Sequence, residues 1–173
     1  MAIDAFVKPL LQLEIFQGLT PLQITEIARR AYRVVYKPGD VLVRDNEIAD
    51  SAIVIVSGEA VCVSNSPSDD TARRIPTGSI VAEMAMLIET EPASTIIATS
   101  PVKALRIARE EVHQQMIEDQ GLAEHFSRQI SARLRDVLEE LRRIDTALEG
   151  MAAIPSRASD FVRTEPQAAV ELH

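Results

Sequence analysis

The sequence predicts a mostly β protein, a β-roll with flanking helices and a long C-terminal helix. Three observations predict it. Between residues 32 and 108, short runs of β-branched and apolar residues alternate with turn residues, the pattern of a β-roll or barrel. Ahead of these runs, Thr20 and Pro21 suit the N-cap and first turn of a helix. Behind them, residues from Ser127 to Met151 recur at alternating steps of three and four, the spacing of a heptad seam.

Residues 1–31 read as an N-terminal helical segment, with helix Pro21–Ala31 turning Ile24, Ile27 and Ala28 to one face. Residues 32–108 read as the roll. It opens with Tyr32–Tyr36, the turn Lys37-Pro38-Gly39-Asp40 and the strand Val41–Arg44. In ADSAIVIVSGEAVCV, Ala49–Val63, Gly58 separates two β-rich runs where a tight turn often needs a positive φ. The polar segment Ser64–Thr71, with Asp69 and Asp70, reads as a hairpin loop. Arg73 and Arg74 are the main basic spot of the roll, either exposed on a strand or supplying charge to an anion. Val81–Ile97 reads as a short helix, a turn and the start of a strand. Ser100 and Pro101 punctuate before the closing strand Val102–Ile107.

Residues 109–150 read as helical: Glu110–Asp119, ending near Gly121, and then one long helix, Leu122–Gly150. Ile130, Leu134, Val137, Leu141, Ile144 and Leu148 form its seam, and Leu138 broadens it, so that part of the helix packs on its own roll. Apolar residues continuing to Leu148 exceed what one small roll can cover, which predicts self-association. The pairing mode stays open: Glu140 and Asp145 would be like charges across a parallel seam, and the Leu/Ile distribution leans toward higher oligomers. Residues 151–173 hold two prolines and no clear periodicity, and read as an extended or disordered tail; Ile154, Phe161 and Val162 are its docking candidates.

The segment VAEMAMLIETEPASTII, Val81–Ile97, resembles the phosphate-binding cassette of the cyclic-nucleotide-binding domain family, roughly F-G-E-x-A-L-L, a spacer, then P-R-S-A-x-V. Glu83, Ala85, Leu87, Pro92 and Ser94 fall on that pattern. The resemblance extends over roughly residues 10–148: Phe16–Leu19 with Pro21 is similar to the family's F-x-x-L-x-P, KPGDVLVRDNE to its K-P-G-E segment, and Ala49–Val63 to its A-D-x-x-Y-x-V run. It implies a double-stranded β-helix of jelly-roll type, a ligand site at Ala82, Glu83, Met84, Ala85, Ala93, Ser94 and Thr95, and a long helix that pairs as in the catabolite activator proteins.

Two departures matter. Ala82 stands where the family has glycine, and Ala93 where it has the arginine that grips the phosphate. Burying a phosphodiester without a partner costs several kcal/mol or more. Arginine offsets that with a planar fork of donors; alanine offers none. The resemblance makes Glu83 the acceptor for the sugar hydroxyl, and without the arginine its carboxylate faces the phosphate with no counter-charge between them.

Composition bounds the rest. At 173 residues, 46% hydrophobic and 25% charged, the chain is expected to be one globular domain. No apolar run approaches the ~20 residues of a membrane helix. The early acid and proline of MAIDAFVKPLLQ argue against a signal peptide, and Cys62, the only cysteine, reads as a packed strand thiol. A cytoplasmic protein follows. A net charge of −8 and a pI near 4.9 disfavour a nucleic-acid surface. The tail is also too short and not basic enough for the helix-turn-helix domain that the family's transcription factors carry about here. Neither His113 nor His125 has metal-site spacing, and G-x-S-x-G, Walker and C-x-x-C motifs are absent. The expectation is a non-enzymatic regulatory or accessory module acting by protein contact, with itself and with a larger assembly, without metal or cofactor and with ordinary cyclic nucleotide binding disfavoured. The alternative is a small-molecule sensor with an altered phosphate pocket.

Overall fold

The structure is a computed structural model that describes residues 4–64 and 72–152. Helix α1 is Asp4–Leu11 and α2 is Pro21–Arg30. Eight strands follow: β1 Tyr32–Tyr36, β2 Val41–Val43, β3 Ser51–Ser57, β4 Ala60–Ser64, β5 Arg73–Ile75, β6 Ile80–Val81, β7 Ser94–Ala98 and β8 Val102–Ala108. Helices α3, Arg109–Glu118, and α4, Gln120–Ala152, close the series. Most of the hairpin loop expected at Ser64–Thr71, with Asp69 and Asp70, lies outside the described residues. So do the side chain of Met151 and the tail with Ile154, Phe161 and Val162.

The strands form two four-stranded antiparallel sheets, ordered β1-β8-β3-β6 and β2-β7-β4-β5. Alternation along β3 and β8 sorts their side chains into two cores. Ile53, Ile55, Val102 and Ala104 point into the roll and meet Val43, Ala60, Ile75, Val81 and Ile96. Ala52, Val54, Leu105 and Ile107 point out of it and meet Leu10, Phe16, Ile24, Ile27, Val112, Leu122 and Phe126 of the helical layer.

Local chemistry fixes the boundaries. Thr20 and Gln23 form a reciprocal capping box, with Pro21 in the first turn of α2. The break between α3 and α4 falls at Asp119 rather than at Gly121, which lies inside α4. Asp119 Oδ1 accepts from the Leu122 N–H at 3.0 Å and Oδ2 from Gln23 Nε2 at 2.8 Å, so one carboxylate starts α4 and ties it to α2. These donors, Gln23 first, hold its pKa below the usual carboxylate value. Helix α1, with Pro9 inside it, had no sequence signal of its own.

By packing, the described chain belongs to two units, Met1–Ala132 and Arg133–His173. The first holds both sheets, α1 to α3 and the start of α4, where Ile130 packs against the outer core. In the second, Leu134, Val137, Leu138, Leu141, Ile144 and Leu148 are each between 44% and 59% exposed.

Gly58 turns β3 into β4 at φ +93°, and a Cβ there would lie 2.3 Å from the Pro101 carbonyl oxygen. Backbone blocks the space, so no rotamer change relieves the clash. The substitution Gly58→Ala is expected to destabilise the fold by more than about 1 kcal/mol. A lower urea midpoint with an unchanged slope would report it.

Candidate functional site

The cassette residues connect the two sheets. Val81 ends β6 and points into the roll; Ala82 then adopts φ 51°, ψ 41°, in the left-handed region. Only one 3-10 turn follows, Glu83–Met86, closed by Ala85 N–H to Ala82 O and Leu87 N–H to Met84 O, each 2.9 Å. The helix expected over Val81–Leu87 is thus shorter. Backbone explains the family's glycine: this position must be left-handed, which is strained for a residue with a Cβ.

The turn reaches both cores. Ala82 packs against the inner core, while Met86 and Leu87 are buried in the outer one, with Met84 against it. His113 of α3 donates through Nε2 to the Leu87 carbonyl at 2.7 Å. A displacement of this turn therefore meets α3 directly.

Strand direction gathers the cassette residues at one end of the roll, called here the mouth. β3, β5 and β7 begin there, and β2, β4, β6 and β8 end there. Ser94 opens β7 on the inner face, two residues before Ile96. Thr95 faces the other way and is engaged in structure: its hydroxyl donates to Asp45 Oδ1 at 2.6 Å and accepts from the Asp45 N–H at 3.2 Å. Asn46 N–H to Pro92 O and Ala49 N–H to Thr90 O fasten the same loop. Ala93 adds no charge.

A second cluster at the mouth was not singled out from the sequence. Arg106 of β8 donates through Nη2 to both Asp50 carboxylate oxygens at 2.8 Å and through Nε to Ser51 Oγ at 2.9 Å. The Ser51 hydroxyl, then Arg106, hold the Asp50 pKa below its usual value. Beside the pair is a crevice of about 250 Å³, lined by Tyr36, Val41, Val43, Glu47 and Ile53 among others, and by none of the cassette candidates. Burial raises the Tyr36 pKa. One signal was available: in VKALRIA, Arg106 shares the register of inward-facing Val102 and Ala104, where an arginine needs a partner.

Among the described residues no group of three or more His, Cys, Asp or Glu is placed to hold a metal ion, and no helix is long and apolar enough to cross a membrane.

The sequence model of the cyclic nucleotide-binding domain matches residues 33–119, just over half of the chain. The chain belongs to the cyclic nucleotide-binding domain family. Among solved structures it is similar to a cyclic nucleotide-binding-like protein from Brucella abortus bv. 1 str. 9-941, at 26% identity and a TM-score of 0.60 over 67% of this chain and 100% of that one. The N-terminal domain of a transcriptional regulator from Streptomyces coelicolor A3(2) matches at 18% identity, TM-score 0.68, over 80% and 95%. The regulatory domain of Toxoplasma gondii PKA, solved with cAMP, matches at 19% identity, TM-score 0.57, over 75% and 50%. The last two show the shared fold alone. No curated protein sequence matches the chain.

Within this family's cassette, Ala82 is the position where restoring glycine acts on stability apart from any ligand. Ala82→Gly is expected to stabilise the fold by about 1 kcal/mol, the relief of one left-handed residue less the added unfolded-state freedom. A rise in Tm by calorimetry would verify it; an unchanged or lower Tm would not fit this backbone.

Proposed function

We propose that this chain is a non-enzymatic regulatory module acting by protein contact, first with a second copy of itself, and that ordinary cyclic AMP and cyclic GMP binding is lost. The carrying observation is the half-exposed apolar stripe of α4, Leu134 to Leu148. Fully burying such a side chain contributes about 1.5–3 kcal/mol. These are half-exposed already, so two copies covering each other gain on the order of 10 kcal/mol. That is comparable with the ~4–15 kcal/mol cost of association. Ile130, packed on the roll's outer core, connects the seam to the fold, and the pair serves as an accessory or regulatory subunit of a larger assembly.

The cassette supports the second half of the reading. A cyclic phosphodiester placed there meets no guanidinium from Ala93, and Glu83 adds a like charge. Arg106 and Arg44 are held by Asp50 and Glu47. The residues present do not fit a buried cyclic phosphate.

Two outcomes follow. Light scattering at micromolar concentration should give at least twice the chain mass, and Leu141→Asp, which places a charge in the seam, should return it to monomer with the roll still folded by circular dichroism; a monomeric unmutated chain refutes the pairing. Calorimetric titration should show cyclic AMP binding absent or at least roughly tenfold weaker than in the double variant Ala82→Gly, Ala93→Arg, because each charge-assisted hydrogen bond contributes ~1.5–3 kcal/mol. Submicromolar binding by the unmutated chain would sink this part.

A further inference from the structure

Helix α4 runs unbroken through the seam, so its heptad positions become faces of the structure. Leu134, Leu141 and Leu148 recur seven residues apart and occupy one seam position, a. Ile130, Val137 and Ile144 recur at the same interval and occupy the other, d. From Leu134 to Leu148 every a is thus a leucine, and from Ile130 to Ile144 every d is β-branched. Leu138 follows Val137 at position e and is 46% exposed, as open as its seam neighbours.

Both features disfavour a simple pair. A parallel two-stranded coil prefers β-branched residues at a and leucine at d, because the knob at d points straight into the partner helix and a branched β-carbon is crowded there. Around four strands the two packing geometries exchange, so leucine suits a and isoleucine or valine suits d. A two-stranded seam is also narrow, confined to a and d. Leu138 lies beside that seam, where a pair leaves much of it in water. A bundle helix instead buries a face of a, d and e. The two signals are independent: one is the branching along the seam and the other is its width. Ile130 packs against the outer core of its own roll, so the half-exposed part of the stripe begins at Leu134, inside the second packing unit.

We propose that α4 assembles four copies of this chain, parallel and in register. The inference rests on the reading that this stripe is where copies meet, and it fixes their number. Layers of Leu134, Leu141 and Leu148 alternate with layers of Val137 and Ile144, and Leu138 is covered by the flank of an adjacent helix. A like-charge pair opposes the arrangement, because Glu140 at g comes opposite Asp145 at e of the neighbouring copy. Both residues are exposed, so salt screens the repulsion and the apolar layers outweigh it.

The test weighs the full chain by sedimentation equilibrium at micromolar concentration and physiological salt. The expected mass is four times the 19.0 kDa of one chain. Exchanging the seam, by Leu134→Ile, Leu141→Ile and Leu148→Ile together with Val137→Leu and Ile144→Leu, keeps the apolar content but installs the two-stranded pattern. That variant should fall to a dimer with an unchanged circular dichroism spectrum. Leu138→Gln should weaken the four-chain species roughly tenfold or more. Glu140→Lys turns the like pair of a parallel bundle into an opposite one and should tighten it. A dimeric or trimeric unmutated chain overturns the proposal, while leaving self-association through α4 in place. So does a folded seam exchange that still weighs four chains, an unweakened Leu138→Gln variant, or a Glu140→Lys variant that dissociates more readily. A monomeric unmutated chain overturns both the number and the self-association.

Discussion

The structure depends on two strands being buried on both faces. Residues Ser51–Ile55 of β3 are all buried, and β8 contributes Val102, Ala104, Leu105 and Ile107. A solvated antiparallel sheet would read apolar-polar-apolar; SAIVIVS does not, because a helical layer covers its other side. Each such side chain contributes about 1.5–3 kcal/mol on burial. With every second residue in a different core, a one-residue slip would exchange the two sets. The register of β3 with β8 thus fixes both the interior of the roll and the position of the helices on it.

The cassette turn is where these two cores meet. In the six residues from Ala82 to Leu87 the chain leaves the inner core, makes one 3-10 turn and enters the outer one. A left-handed residue accomplishes the change of direction, and in this chain it is an alanine. Glycine would take that conformation without strain. The alanine shows that the turn's geometry is kept by the packing of Met86 and Leu87 and by the His113 contact, with no glycine to make it easy. The turn between the two cores is therefore held by packing and one hydrogen bond, whatever the side chain at position 82 contributes.

Much of the fold was legible. Thr20-Pro21, the turn at Gly58, the short strands and the long helix each have a local cause written in adjacent residues, and each lies within a few residues of its expected place. What was not legible depended on partners far along the chain. The pairing of Asp50 with Arg106 joins residues 56 apart, and only strand register brings them together. Asp119 as the start of α4 depends on Gln23, 96 residues away. Ala82 carries no sign of its φ, since alanine is the residue least suggestive of a turn. Of the segment Val81–Ile97, the short helical turn and the strand start were legible from its pattern. The outward direction of Thr95 and the different faces of Arg73 and Arg74 required the hydrogen-bond ladder.

Charge at the mouth links these observations. Arginine is costly on the inward face of a roll unless it is paired or reaches water. Arg106 meets this by pairing with Asp50 and Ser51, and so contributes to structure. Arg73, which shares the register of inward-facing Ile75, meets it by exposure. The same residue type at the same end of one roll is thereby paired at one edge and solvent-exposed at the other. Because the chain carries a net charge of −8, an anion approaching from solvent is repelled overall, and a specific cation must outweigh that field at short range.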